Sequence, residues 1–112
     1  MGRRRKFYSW DIPNTVVAVV KTLCADYQRR KIALERDTVS GAVKDEYARI
    51  NAAIDLALND IEEGIKDIVL QDVVSNRGYD FSQASPFIAK NTYYNRKRKL
   101  VYDIAAGLNL IP

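Results

Sequence analysis

The sequence predicts an all-α protein: a long helical hairpin followed by a C-terminal helix-turn-helix-like element. Three observations predict it. Two apolar stripes recur at steps of three and four, the spacing of one helical face. Clusters of capping and turn residues separate them. No segment alternates with the period of two that marks a strand. At 112 residues the chain has the length of about one domain. Three regions are expected: a basic-aromatic arm over 1–12, a hairpin over 13–58 that also serves oligomerisation, and a helix-turn-helix-like region over 60–112.

The arm carries Arg3, Arg4, Arg5 and Lys6, then Phe7, Tyr8 and Trp10. Two readings stand side by side: an arm that folds onto nucleic acid, or a leader whose aromatics staple onto the body. Asp11-Ile12-Pro13-Asn14 is a helix-start signal, with Pro suited to a first turn and Asp or Asn to the cap. One helix is then expected from Pro13 to Arg36. Its seam is Val16, Val20, Leu23, Tyr27 and Leu34, interrupted by Arg29-Arg30-Lys31. Asp37 to Gly41 breaks it.

The second stripe is Val43, Tyr47, Ile50, Ile54, Leu58, Ile61, Ile65 and Ile68. Asn59-Asp60 before Glu62-Glu63 reads as a fresh helix start, and Gly64 weakens the middle. Two helices over about 41–58 and 60–75, or one bent helix, satisfy the pattern. The two seams pair as an antiparallel hairpin or across a dimer; both fit. Ser75-Asn76-Arg77-Gly78 ends this region, with Gly78 expected at the left-handed position. Ser82-Gln83-Ala84 is expected to make one helical turn before Pro86.

The last helix starts at Asn91-Thr92 and runs to Gly107. At about 100° per residue, Tyr93, Leu100, Ile104, Leu108 and Val101 fall on one side. Thr92, Asn95, Arg96, Lys99 and Asp103 fall on the other. That second face presents amide, hydroxyl, guanidinium and ammonium groups, which suit phosphates and base edges. A recognition helix is expected, with Arg96 as the candidate for guanine and Asn95 for adenine. Asn91 and Thr92 open the helix whose positive end attracts phosphate. Lys90, Lys97, Arg98 and the Arg3–Lys6 tail are candidates for backbone phosphate. Lys97 falls toward the apolar side, and its stem is expected to snorkel outward. Tyr94 stands between core and phosphate contact; Tyr93 is assigned to the core.

Charge placement agrees with a polyanionic partner. Residues 1–36 carry nine Lys/Arg against three Asp/Glu, residues 37–80 carry four against ten, and residues 81–112 carry five against one. Two basic ends flank an acidic middle, which can focus a field at modest total charge. With no histidine and one cysteine, Cys24, the chain lacks the commonest general base and the ligand set of a zinc finger. Neither catalysis nor a cofactor is expected. No apolar run reaches the roughly 20 residues of a membrane span, and Met-Gly-Arg-Arg-Arg-Lys lacks a signal peptide's apolar core. A cytoplasmic location follows, and Cys24 fits a reducing compartment.

The run from Pro86 to Leu110, with Thr92, Tyr93, Tyr94, Arg96, Arg98, Ile104, Ala105 and Leu108 as its matching positions, resembles the end of phage late-operon transcriptional activators of the RinA/ArpU type. Those proteins of phages of Gram-positive bacteria end in a segment similar to sigma-factor region 4. The resemblance covers about a quarter of the chain. Tyr79 to Pro86 replaces the aromatic and Ile-Ala pair that the family usually carries before the turn. The resemblance implies double-stranded DNA and host RNA polymerase as partners, a bacterial host cell, and no catalysis. Two other classes remain open from the residues: a small-terminase-like packaging or assembly protein, and a helical interaction module that binds no DNA.

Overall fold

A computed structural model describes residues 12–112, and these form five α-helices, one 3-10 turn and no strand. The Arg3–Lys6 tail lies outside the described residues. The helices are α1 (Asn14–Ala25), α2 (Tyr27–Glu35), α3 (Gly41–Leu58), α4 (Lys66–Ser75) and α5 (Lys90–Gly107), with the 3-10 turn at Tyr79–Phe81. None is long and apolar enough to cross a membrane.

Pro13 occupies the position before α1, and its carbonyl accepts the N–H groups of Val16 and Val17. Val17, Val20 and Cys24 turn inward. The expected single helix from 13 to 36 is instead two. Asp26, with ψ near 6°, separates α1 from α2, and its carboxylate meets Arg29 at 2.7 Å. The physical reason for the break is Arg30, which is 3% exposed. Its Nε donates to Asn51 Oδ1 at 2.8 Å, and it also donates to the Leu23 carbonyl. Asn51 in turn donates to the Tyr27 carbonyl. This polar bracket ties the end of α1, the start of α2 and the middle of α3.

The hairpin is therefore half the expected length. Of α1 and α2, α2 is the one that lies along α3; α1 turns away to pack on α4 and α5. Within the second stripe Ile50, Ile54, Leu58, Ile61 and Ile65 are buried, whereas Val43 remains exposed. The stripe is two helices rather than one. Residues 59–65 form a loop, so α4 begins at Lys66, later than the acidic start signal implied.

Three helix ends place acidic or amide residues in the left-handed region, and at one of them Gly78 was expected there. Asp37, Asn76 and Asn109 have φ of 56°, 61° and 61°. The N–H groups of Thr38, Arg77 and Leu110 each reach back five residues, to Ala33, Asp72 and Ala105. That is the Schellman arrangement. Gly78 is extended at φ −91°, and Asn76 takes the left-handed position instead. Asx side chains tolerate that region better than most. α5 ends at Gly107, as expected; a Cβ there would stand 3.4 Å from Ala53 Cβ, so the glycine also lets α5 approach α3 closely.

α5 lies at the centre, against α1, α3 and α4. Tyr93, Leu100, Val101, Ile104, Ala105 and Leu108 are buried. Each buried Leu, Ile or Val side chain contributes on the order of 1.5–3 kcal/mol. One side of this helix is thus anchored along almost its whole length.

Candidate nucleic-acid interface

The start of α5 is built by the irregular connection over residues 76–89. A 3-10 turn at Tyr79–Phe81 precedes the expected turn at Ser82–Ala84, where the Ser85 N–H reaches the Ser82 carbonyl and further hydrogen-bonded turns run to residue 87 without forming a helix. Three tyrosines staple the connection to the helix. The Tyr79 hydroxyl lies 3.0 and 2.7 Å from the carbonyl oxygens of Ser85 and Ile88. The Tyr94 hydroxyl accepts the Tyr79 N–H at 3.0 Å. The rings of Tyr79 and Tyr94 each meet Tyr93 edge-on, at centroid distances of 5.4 and 5.1 Å. Gly78 makes room, since a Cβ there would sit 3.2 Å from the Tyr94 hydroxyl.

Beneath them lies Asp72, 1% exposed. Its Oδ2 accepts the Ser82 hydroxyl and, at 2.7 Å, the Tyr93 hydroxyl. Its Oδ1 has no hydrogen-bond partner; an Arg77 guanidinium nitrogen stands 3.8 Å away. Sequence reasoning missed Asp72. The signal was its register: it falls on the inward side of α4 with Val69 and Val73.

Lys97 joins this buried cluster. It has no solvent exposure, and its Nζ donates to the Arg77 carbonyl at 2.7 Å. The ammonium lies 5.4 and 5.8 Å from the ring centroids of Tyr93 and Tyr94. Burial pushes it down to about 8, with Asp72 opposing. The expected outward snorkel does not occur: a carbonyl, two ring faces and a carboxylate nearby hold the ammonium inside. Lys97 therefore positions the helix rather than reaching the surface.

The outward arc is polar throughout its first turns. Lys90, Asn91 and Asn95 are exposed; Thr92, Arg96, Arg98 and Lys99 are half-buried. Arg98 donates to Asn95 Oδ1. Ala89, at the N-cap, offers no side-chain acceptor, so no cap side chain takes up the N–H groups at the positive end of α5. Tyr94, half-buried with its hydroxyl already bonded to Tyr79, belongs more to the staple than to the surface.

One edge of the arc is already engaged. Arg96 forms a two-pronged contact with Glu62, Nε to Oε1 and a terminal nitrogen to Oε2, both 2.8 Å. Arg96 holds the Glu62 carboxyl down to about 2. Lys99 reaches Asp60 at 3.0 Å and Asp103 at 2.6 Å. Asp60 and Glu62 both belong to the loop between α3 and α4. Sequence spacing gave no sign of these long-range pairs.

Elsewhere, a cleft of about 520 Å³ opens beside Cys24, Tyr27, Lys31, Asp55 and Lys66. Burial pushes the Cys24 thiol up to about 12, which suppresses thiolate chemistry. Among the described residues no group of three or more carboxylate or cysteine side chains is placed to hold a metal ion. Comparison with protein-family models, curated proteins and solved structures gives no match to this chain.

Proposed function

We propose that the protein is a DNA-binding transcriptional regulator of phage or prophage genes, reading duplex DNA with the outward arc of α5. One observation carries the reading. α5 is anchored along one side by a packed core and a buried polar cluster, while its first turns present only polar and cationic side chains around an uncapped N-terminus. A rigid helix with that asymmetry suits a major groove about 12 Å wide. Asn91, Thr92 and Asn95 lie where base edges would be met, with Arg96 and Lys99 along one margin and Arg98 along the other. Lys90 is placed for phosphate.

In this reading α4, the stapled connection and α5 act as a variant helix-turn-helix-like unit. The connection over 76–89 takes the place of a short turn, and Tyr79, Tyr93 and Asp72 supply the rigidity that a second short helix would give. The resemblance of Thr92 to Leu108 to late-operon activators supports a regulator that works with host RNA polymerase in the bacterial cytoplasm. Self-association belongs to the same proposal: Val43 and Leu56 of α3 are 51% and 71% exposed, and burying them between copies removes that apolar surface from water.

The test is binding of labelled duplex across a salt series, using fragments from the protein's own genomic neighbourhood against random duplex. Binding that weakens steeply with salt is expected, with one fragment preferred. Asn91→Ala/Asn95→Ala should erase the preference, about 1–3 kcal/mol per lost base contact. Absence of salt-dependent binding overturns the proposal. The acid-paired state of Arg96 and Lys99 favours a second reading, a helical protein-interaction module whose cations are structural. A ring-sized mass in solution would instead favour the small-terminase-like packaging class.

A further inference from the structure

We infer that the loop between α3 and α4 is a built-in phosphate mimic, in which Glu62 and Asp60 occupy Arg96 and Lys99 and are displaced when duplex DNA binds. The inference rests on the DNA-binding reading above and names how that site is regulated.

The geometry is that of a guanidinium meeting an oxyanion. Both Glu62 oxygens take one Arg96 nitrogen each at 2.8 Å, the planar two-pronged contact that Arg also makes with phosphate. Lys99 likewise bridges two carboxylates, Asp60 from the loop and Asp103 from its own helix. The two loop acids are two residues apart in sequence and reach side chains three residues apart on α5. One short segment thus covers one margin of the outward arc. A duplex phosphate approaching that margin meets carboxylates already seated on the cations.

The contacts are made to be exchanged. Glu62 and Asp60 keep 49% and 58% of their side-chain surface exposed, and Arg96 and Lys99 keep 30% and 43%. Ion pairs this exposed are weak, so a polyanion with many charges displaces them. The loop itself is anchored independently, by burial of Ile61 and Ile65. Releasing the acids therefore leaves the fold standing. Displacing the acids lowers the net gain from every duplex by the same small amount, and a cognate site offsets it with base contacts from Asn91 and Asn95.

The experiment compares wild type with Asp60→Asn/Glu62→Gln, each checked for an unchanged helical spectrum. A control, Glu35→Gln/Asp45→Asn, removes two exposed acids from α2 and α3. Loss of the mimic should tighten binding to random duplex about three- to thirtyfold, the combined strength of two exposed pairs. It should also steepen the slope of log affinity against log salt by up to about two. The control should do clearly less. A second readout uses the wild type alone: carbon NMR should show the Glu62 carboxyl titrating nearer its ordinary range once a saturating cognate duplex is present. If wild type binds DNA but the loop variant matches the control and Glu62 titrates unchanged, the inference falls and the DNA-binding reading survives. If neither protein binds duplex, the reading falls and takes the inference with it.

Discussion

Arg96 and Lys97 are adjacent cations on one helix, and they live under different physics. Arg96 stands at the surface with an exposed carboxylate. Lys97 is rotated by about 100° into a site with no solvent exposure, beside Asp72 and the rings of Tyr93 and Tyr94. The difference teaches where charge contributes to folding and where it serves exchange with a partner. A buried ion that loses its counter-charge is strongly destabilising. An exposed pair is screened by water and salt and can be replaced.

The comparison is broken most severely at Asp72. Asp72→Ala removes the acceptor for the Tyr93 and Ser82 hydroxyls and the carboxylate whose charge favours the Lys97 ammonium. A loss of about 3–5 kcal/mol is expected, read as a lower midpoint in urea unfolding. A loss below about 1 kcal/mol would mean that water enters and the cluster is not a closed unit.

The pH dependence of stability sharpens it next. Lys97 is held at about 8 against an ordinary 10.5, so between those values the unfolded chain binds more protons than the folded one. The contribution of this group therefore rises with pH from about 8 towards 10.5, and it is a full penalty below 8. Compared with Lys97→Met, the wild type should gain stability across that window. Tyr93, whose hydroxyl is pushed upward by burial and by Asp72, begins to oppose the gain at the upper end. Parallel curves for the two proteins would place the Lys97 ammonium in water.

The smallest effect belongs to the exposed pair. Glu62→Gln should change stability at neutral pH by less than about 1 kcal/mol. With its carboxyl lowered to about 2, the contribution of Glu62 is complete above its ordinary value of 4.5 and is lost as pH falls toward 2. Thermal unfolding of the two proteins should therefore converge in acid. A large neutral-pH loss would assign Glu62 to the architecture of the loop rather than to an exchangeable pair.

Much of α5 was legible in the residues. The 3.6-residue period placed Tyr93, Leu100, Val101, Ile104 and Leu108 inward and Asn95, Arg96 and Lys99 outward, as the structure has them. The period also assigned Lys97 inward, and the expectation that its stem would bend outward overrode a correct angle. Arg30 was hidden for a related reason. Arg29-Arg30-Lys31 reads as an interruption of the apolar seam, yet its middle member is a buried bracket to Asn51 and Leu23. The helix breaks were legible where cap and turn residues cluster, at 37–40 and after Ser75, and illegible at Asp26, where the bracket of Arg30 to Leu23 and Asn51 accompanies the bend.

By itself, then, the sequence determined what is local: helical conformation, the positions of most breaks, and the angle at which each side chain leaves its helix. These follow from backbone sterics and from the burial of apolar residues at a fixed period. Tertiary structure alone decided which charges meet. Arg96 finds Glu62 across 34 residues and Lys99 finds Asp60 across 39, while Asp72, Ser82, Tyr93 and Lys97 converge from two helices and a connection. Whether a charge is screened or buried depends on what packs over it, and that is a property of the assembled helices, not of any one stretch of chain.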